Sequence, residues 1–149
     1  NRERLFSSVN MKSIKSSLKF NNYVVDTIEF KTNFDFSGKD KDIDFDIDSD
    51  CTFEDDNFII SLDLTVFPKA EENDYPFTMR VKIVGLFEVD KEIDTDTRKD
   101  FAERNSIAIL FPYLRALVSV YSSNANIGNL ILPPINVVKY LENKRKNRS

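Results

Sequence analysis

The chain has 149 residues, 41% of them hydrophobic and 31% charged, with a formal net charge of −4 and no histidine. That length suits one domain with a core of modest size, and the missing histidines remove the commonest general base and metal ligand. A lone Cys51 cannot form an internal disulfide or a structural zinc site, and Gly38, Gly85 and Gly128 are too few and too scattered for a phosphate cradle, so no enzyme class and no cofactor is indicated.

Residues 1–20 are rich in Ser, Lys, Arg and Asn and read as a flexible N-terminal arm. They lack the continuous apolar stretch of a signal peptide, so the cytoplasm is the expected compartment. The first strand is expected over Tyr23–Phe34, with a connection at Asp35–Lys41. From Asp42 to Phe53 the chain alternates. Ile43, Phe45, Ile47, Cys51 and Phe53 fall on one face, and Asp42, Asp44, Asp46, Asp48 and Asp50 on the other. No register of these aspartates puts Gly and Glu where a calcium loop needs them, so the row reads as the wet face of a strand.

A third strand, Phe58–Phe67, ends at Pro68, and Lys69–Pro76 forms a charged hairpin-type connection. The fourth, Phe77–Val89, turns Phe77, Met79, Val81, Ile83, Gly85 and Phe87 inward. Thr78, Arg80 and Lys82 face outward, where they can complement the aspartates of a neighbouring strand. Thr97–Arg104 opens a helical region with Asp94 or Thr95 as its N-cap.

The stretch Ser106–Val138 has Arg115 as its only charged residue. At helical spacing one face carries Ile107, Leu110, Phe111, Leu114, Val118 and Tyr121. The opposite face carries Ile109, Tyr113, Ala116, Leu117 and Val120 and is also apolar. A helix apolar all round is buried on both sides. One side can pack on the chain's own sheet and the other on a second copy. Pro112, Arg115 and Ser122–Asn126 interrupt the run, which reads against a membrane span. Pro112 is expected to bend the helix, and Asn126, Gly128 and Asn129 to end it. Leu130–Pro134 is an extended crossover, and Asn136 caps a last helix, Val137–Lys144, ahead of a basic tail at 143–149. The fold class is α+β, a four-stranded antiparallel sheet followed by two helices, with one domain over 21–142 packed helix to helix in an oligomer.

The string ILFPYLR (Ile109–Arg115), the Ser/Asn-rich helix end after it, LILPPINVVKYL (Leu130–Leu141) and VGLF (Val84–Phe87) resemble the SecB family of protein-export chaperones. The resemblance spans about Tyr23 to Leu141. It implies a homo-tetramer, a dimer of dimers with outward-facing sheets, whose hydrophobic grooves hold unfolded or precursor polypeptides without nucleotide. Carried over by position, the groove between the second strand and the crossover is lined by Phe34, Ile43, Phe45, Ile47, Leu130, Leu132 and Ile135. The resemblance also implies docking of the SecA motor through acidic side chains on the outer sheet face. This chain has Thr27, Lys31 and Arg80 at those positions, which counts against that partner. SecB-like chaperones that protect an antitoxin are the alternative, either as chaperones or as interaction modules dedicated to one partner. A net charge of −4 counts against nucleic acid.

Overall fold

The computed structural model describes residues 18–89, 95–126 and 130–148. Four strands, β1 (Leu18–Thr32), β2 (Phe45–Glu54), β3 (Asn57–Val66) and β4 (Phe77–Val89), form one antiparallel sheet in the order β1-β4-β3-β2. A one-turn helix, α1 (Ala70–Asn73), interrupts the β3–β4 connection. The long helix α2 (Thr95–Asn124) and the final helix α3 (Val137–Arg148) cover one face of the sheet.

Alternation decides the faces. Phe58, Ile60, Leu62, Leu64 and Val66 of β3 and Met79, Val81, Ile83 and Phe87 of β4 are buried under α2, as period 2 requires. Across the register, Phe58 meets Phe87 and Leu64 meets Val81, so each apolar row is continuous through the two central strands. Gly85 sits within this inner face. A Cβ there would lie 2.6 Å from Leu110 Cδ1 and 2.8 Å from Phe87 Cε1, so the missing side chain lets α2 approach the sheet.

Several boundaries differ from the expected ones. β1 begins at Leu18, within the arm assigned to residues 1–20, because Leu18, Lys19 and Phe20 pair with Val89, Glu88 and Phe87. The rest of that arm lies outside the described residues, as do Asp94, Gly128 and Asn129. The β3–β4 link is a hairpin holding a helical turn. Phe67, Lys69 and Asp74 there have φ near 55° (53, 54 and 55), in the left-handed region. Thr78 Oγ1 braces it by donating to the Phe67 carbonyl (2.6 Å) and accepting from the Ala70 N–H (3.0 Å). Buried Asn33 ties the end of β1 to the same link by donating to the carbonyls of Ala70 (3.2 Å) and Tyr75 (3.0 Å).

α2 is one helix of 30 residues that runs through Pro112. Pro112 is exposed, so the missing hydrogen bond falls on the solvent side and the helix continues. By length and composition alone, Lys99–Asn124 is apolar and long enough to cross a membrane, contrary to the expectation that Pro112 and Arg115 break the run. Its buried face packs on the chain's own sheet, as a two-sided core helix does. α3 is capped by Asn136, whose Oδ1 accepts from the Lys139 N–H (3.1 Å). It continues past the predicted Lys144 to Arg148, so most of the expected basic tail is helical. Lys144 and Arg148 are held by carboxylates of β2, and bases in a last turn suit the helix dipole.

Candidate functional site

The crossover from α2 to α3 runs beside β2, and side chains of α2 fasten it there. Arg115 Nη2 donates to the Leu132 carbonyl (2.9 Å), and Ser122 Oγ accepts from the Leu130 N–H (3.0 Å). Pro133 and Pro134 follow and have no N–H to satisfy. Between this crossover and β2 lies a closed apolar cleft lined by Phe45, Ile47, Phe111, Leu132, Pro133 and Ile135. Its side chains close on one another and leave no room for a water molecule between them, unlike the roughly 300–1,000 Å3 of small-molecule pockets. Any client segment, even a single side chain, therefore needs the walls to part.

Of the residues assigned to a groove, Phe45, Ile47, Leu132 and Ile135 meet in this cleft. Ile47 and Leu132 are buried within the core, whereas Phe45 and Ile135 are partly exposed. Ile43 and Leu130 pack half-buried on the same core at either side. Phe34 stands apart. It leaves β1 on the edge of the sheet opposite β2 and is 94% exposed.

Sequence reasoning missed Phe111, which was assigned only to the sheet-packed face of α2, and Pro133. It also missed Ile131, 65% exposed on the outer side of the crossover. The alternation of Leu130 to Leu132 in an extended segment was the available signal, since it must place Ile131 opposite its neighbours.

Tyr140 and Lys144 of α3 complete the surroundings. The Tyr140 ring packs on Phe45 with centroids 5.6 Å apart, and its Oη accepts from the Ile47 N–H (3.3 Å) and donates to Asp46 (3.2 Å). Lys144 Nζ donates to Asp46 (2.6 Å), Asp48 (2.7 Å) and the Ile47 carbonyl (3.0 Å), and Arg148 pairs with Asp48 (3.1 Å). Burial pushes the Tyr140 phenol up, and the hydrogen bond from Lys144 holds the Asp48 carboxyl below its ordinary range. Burial pulls the Lys144 ammonium down, but its carboxylate partners outweigh this and raise it. Cys51, on the same strand, is pushed up to about 11 by burial and then by Asp50, which keeps it a neutral thiol.

Of the outward-facing bases, Arg80 does meet an aspartate of a neighbouring strand, as expected. Arg80 forks onto Asp63 of β3 (3.0 and 2.8 Å), because β4 adjoins β3 and not β2. Thr27, Lys31 and Arg80 all lie on the outer face, opposite Lys82, Thr78 and Glu29 respectively. Lys31 reaches Glu71 (3.8 Å) beside a depression of about 390 Å3 lined by residues of both charges, so this surface is not an acidic patch.

On α2, the second apolar face is only partly covered by the described residues. Val120 is 54% and Tyr113 41% exposed, Ala116 is exposed, and Ile109 and Leu117 are half-buried. Tyr113 is partly shielded by Tyr23 and Phe20 of β1, at 4.8 and 5.8 Å between ring centroids. Tyr121, assigned to the sheet-packed face, is instead 43% exposed on the last turns. Among the described residues no cluster of His, Cys, Asp and Glu is arranged to hold a metal ion.

Residues 36–148 match the family model described as preprotein translocase subunit SecB. An uncharacterized protein of Methanocaldococcus jannaschii is 41% identical over 134 residues, covering 87% of this chain and 85% of that protein. A protein-export protein SecB of Alcanivorax borkumensis is 33% identical over 84 residues, covering 56% of this chain and 53% of that protein. Among solved structures, the fold is shared with a Mycobacterium tuberculosis SecB-like chaperone in complex with a ChAD peptide from the HigA1 antitoxin. The TM-score is 0.64 at 9% identity, over 87% of this chain and 98% of that one.

Proposed function

The chain belongs to the SecB family, and from that premise we propose that it is an ATP-independent chaperone of the cytoplasm that holds unfolded or precursor polypeptides. The observation that carries this reading is the apolar surplus of α2, one face of which packs on the sheet while Ile109, Tyr113, Ala116, Leu117 and Val120 still meet solvent. Burying that second face between copies, at about 25 cal/mol per Å2, gains on the order of several kcal/mol before association costs. It supports a homo-oligomer, with a dimer of dimers as the expected form. The client site is the cleft at Phe45, Ile47, Leu132 and Ile135, extended by Ile43, Leu130 and the exposed Ile131, with Phe34 as an outlying contact for a long client.

The test is suppression of aggregation. At one oligomer per client and without nucleotide, the protein keeps several unrelated unfolded proteins in solution. Failure with every client overturns the reading.

A second reading is favoured by the antitoxin peptide bound to the structural neighbour, namely service to a single antitoxin-like partner. One co-purifying protein, with no activity toward unrelated clients, would select it. Delivery to a SecA motor is the weakest part of the export reading, because Thr27, Lys31 and Arg80 provide no negative charge.

A further inference from the structure

β2 is an edge strand, and side chains of α3 stand where a further strand would pair. The Asp44 carbonyl accepts from the Phe67 N–H, so the main-chain groups on Asp44's side of the alternation point toward β3. Those of Phe45, Ile47, Ser49 and Cys51 therefore point away from it. At Ile47 both outward groups are occupied, the N–H by Tyr140 Oη (3.3 Å) and the carbonyl by Lys144 Nζ (3.0 Å). An extended polypeptide lying on this edge would supply a carbonyl and an N–H at those same points, beside the apolar cleft.

α3 is attached in a way that lets it leave. Its buried apolar side chains are Val137 and Leu141, in the first turns. Residues 142–148 contain no apolar side chain. Ion pairs fasten this part, namely Lys144 with Asp46 and Asp48, Arg148 with Asp48, Arg104 with Glu142 (3.1 Å), and Arg145 with Glu103. Arg104, Arg145 and Arg148 are more than half exposed, and pairs of that kind are individually weak and screened by salt, whereas Lys144 is 21% exposed and is screened less. Releasing the last two turns would free the Ile47 carbonyl, and the Ile47 N–H would follow once the Tyr140 hydroxyl turned away, without disturbing Leu110 or Leu114 in the core.

We propose that α3 is an intramolecular competitor for the β2 edge. Tyr140 and Lys144 occupy the main-chain positions that an extended client needs, and the Lys144–Asp46–Asp48–Arg148 network sets how readily the edge is surrendered. This rests on the client-holding reading above and adds its regulation.

The experiment measures binding of a fluorescent, uncharged peptide of alternating leucine and threonine, chosen so that salt acts on α3 and not on the ligand. Wild type should bind about five-fold tighter near 0.5 M salt than at low salt, the effect expected of a few screened surface pairs. The K144Q/R148Q variant should already bind at the tighter level in low salt and respond little to more. Equal or weaker binding by this variant at low salt overturns the proposal.

Tyr140→Phe guards against a variant that fails to fold. It leaves every ion pair in place, and it should speed hydrogen exchange at the Ile47 amide, with protection restored by bound peptide. Unchanged exchange at that amide also overturns the proposal. If wild type binds no peptide at any salt and protects no unfolded protein, the chaperone reading has failed. If it binds but the variants do not differ from it, only the competitor has failed.

Discussion

The two faces of α2 are nearly alike in composition and opposite in fate. Ile107, Leu110, Leu114 and Val118 are buried against the sheet, whereas Val120, Tyr113 and Ala116, a fraction of a turn away, are exposed in a single copy. Hydrophobicity alone does not bury a residue. A surface has to be present to receive it, and the described residues offer one sheet to a helix with two apolar sides. In the oligomer proposed above the second side meets another copy, whereas the sheet-facing side holds the core of one copy together.

That contrast can be broken by substitutions on either side. Leu114→Ala, at a fully buried position, should lower unfolding free energy by about 2–5 kcal/mol in denaturant titration. A loss below one kcal/mol would mean that the sheet-facing side is not the core. Gly85→Val, forced against Leu110, should destabilise by about 1–3 kcal/mol and lift α2 from the sheet. Asn136→Ala removes the cap of α3 and should cost about 1 kcal/mol.

Changes on the outward face should behave differently. A Val120→Ser variant should shift the stability of one copy by no more than about 0.5 kcal/mol, yet raise the protein concentration needed to hold the oligomer together in light scattering. If its oligomer mass is unchanged at every concentration, the outward face is not the interface.

Acid and base offer a further test, confined to α3. Asp48 has a lowered folded pKa, so its pairing with Lys144 adds stability above the ordinary value of 3.8 and loses it as pH falls through the lower folded value. Lys144 has a raised one, so its share is complete below 10.5 and is lost as pH rises beyond that. Protection of the Ile47 amide should therefore be flat through the neutral range and collapse at both extremes. The sheet-facing side of α2, whose Ile107, Leu110, Leu114 and Val118 carry no ionisable group, should not respond.

Much of the fold was legible because it depends on near neighbours. Alternation in Phe58–Val66 and Phe77–Val89 told which side chains face inward, and each assignment agrees with the burial found. Asn136 was readable as a cap from its place ahead of an apolar turn. The candidate site was less legible. Phe45, Ile47, Leu132 and Ile135 do meet, but Phe34 lies at the other edge of the sheet, because the chain crosses from β1 to β2 over residues 33–44. Phe111 was hidden because one residue was asked to serve one face, whereas its ring reaches both the core and the cleft.

The sequence by itself determined the strand faces, the two-sided character of α2 and the absence of histidine chemistry, since each follows from residue type and short-range period. Only the tertiary structure decided that β1 lies beside β4, that Arg80 answers Asp63, and that Lys144 and Arg148 answer the aspartates of β2. Those choices join residues far apart in the chain. They depend on which edges and charges meet after the core has closed, and no local pattern records that.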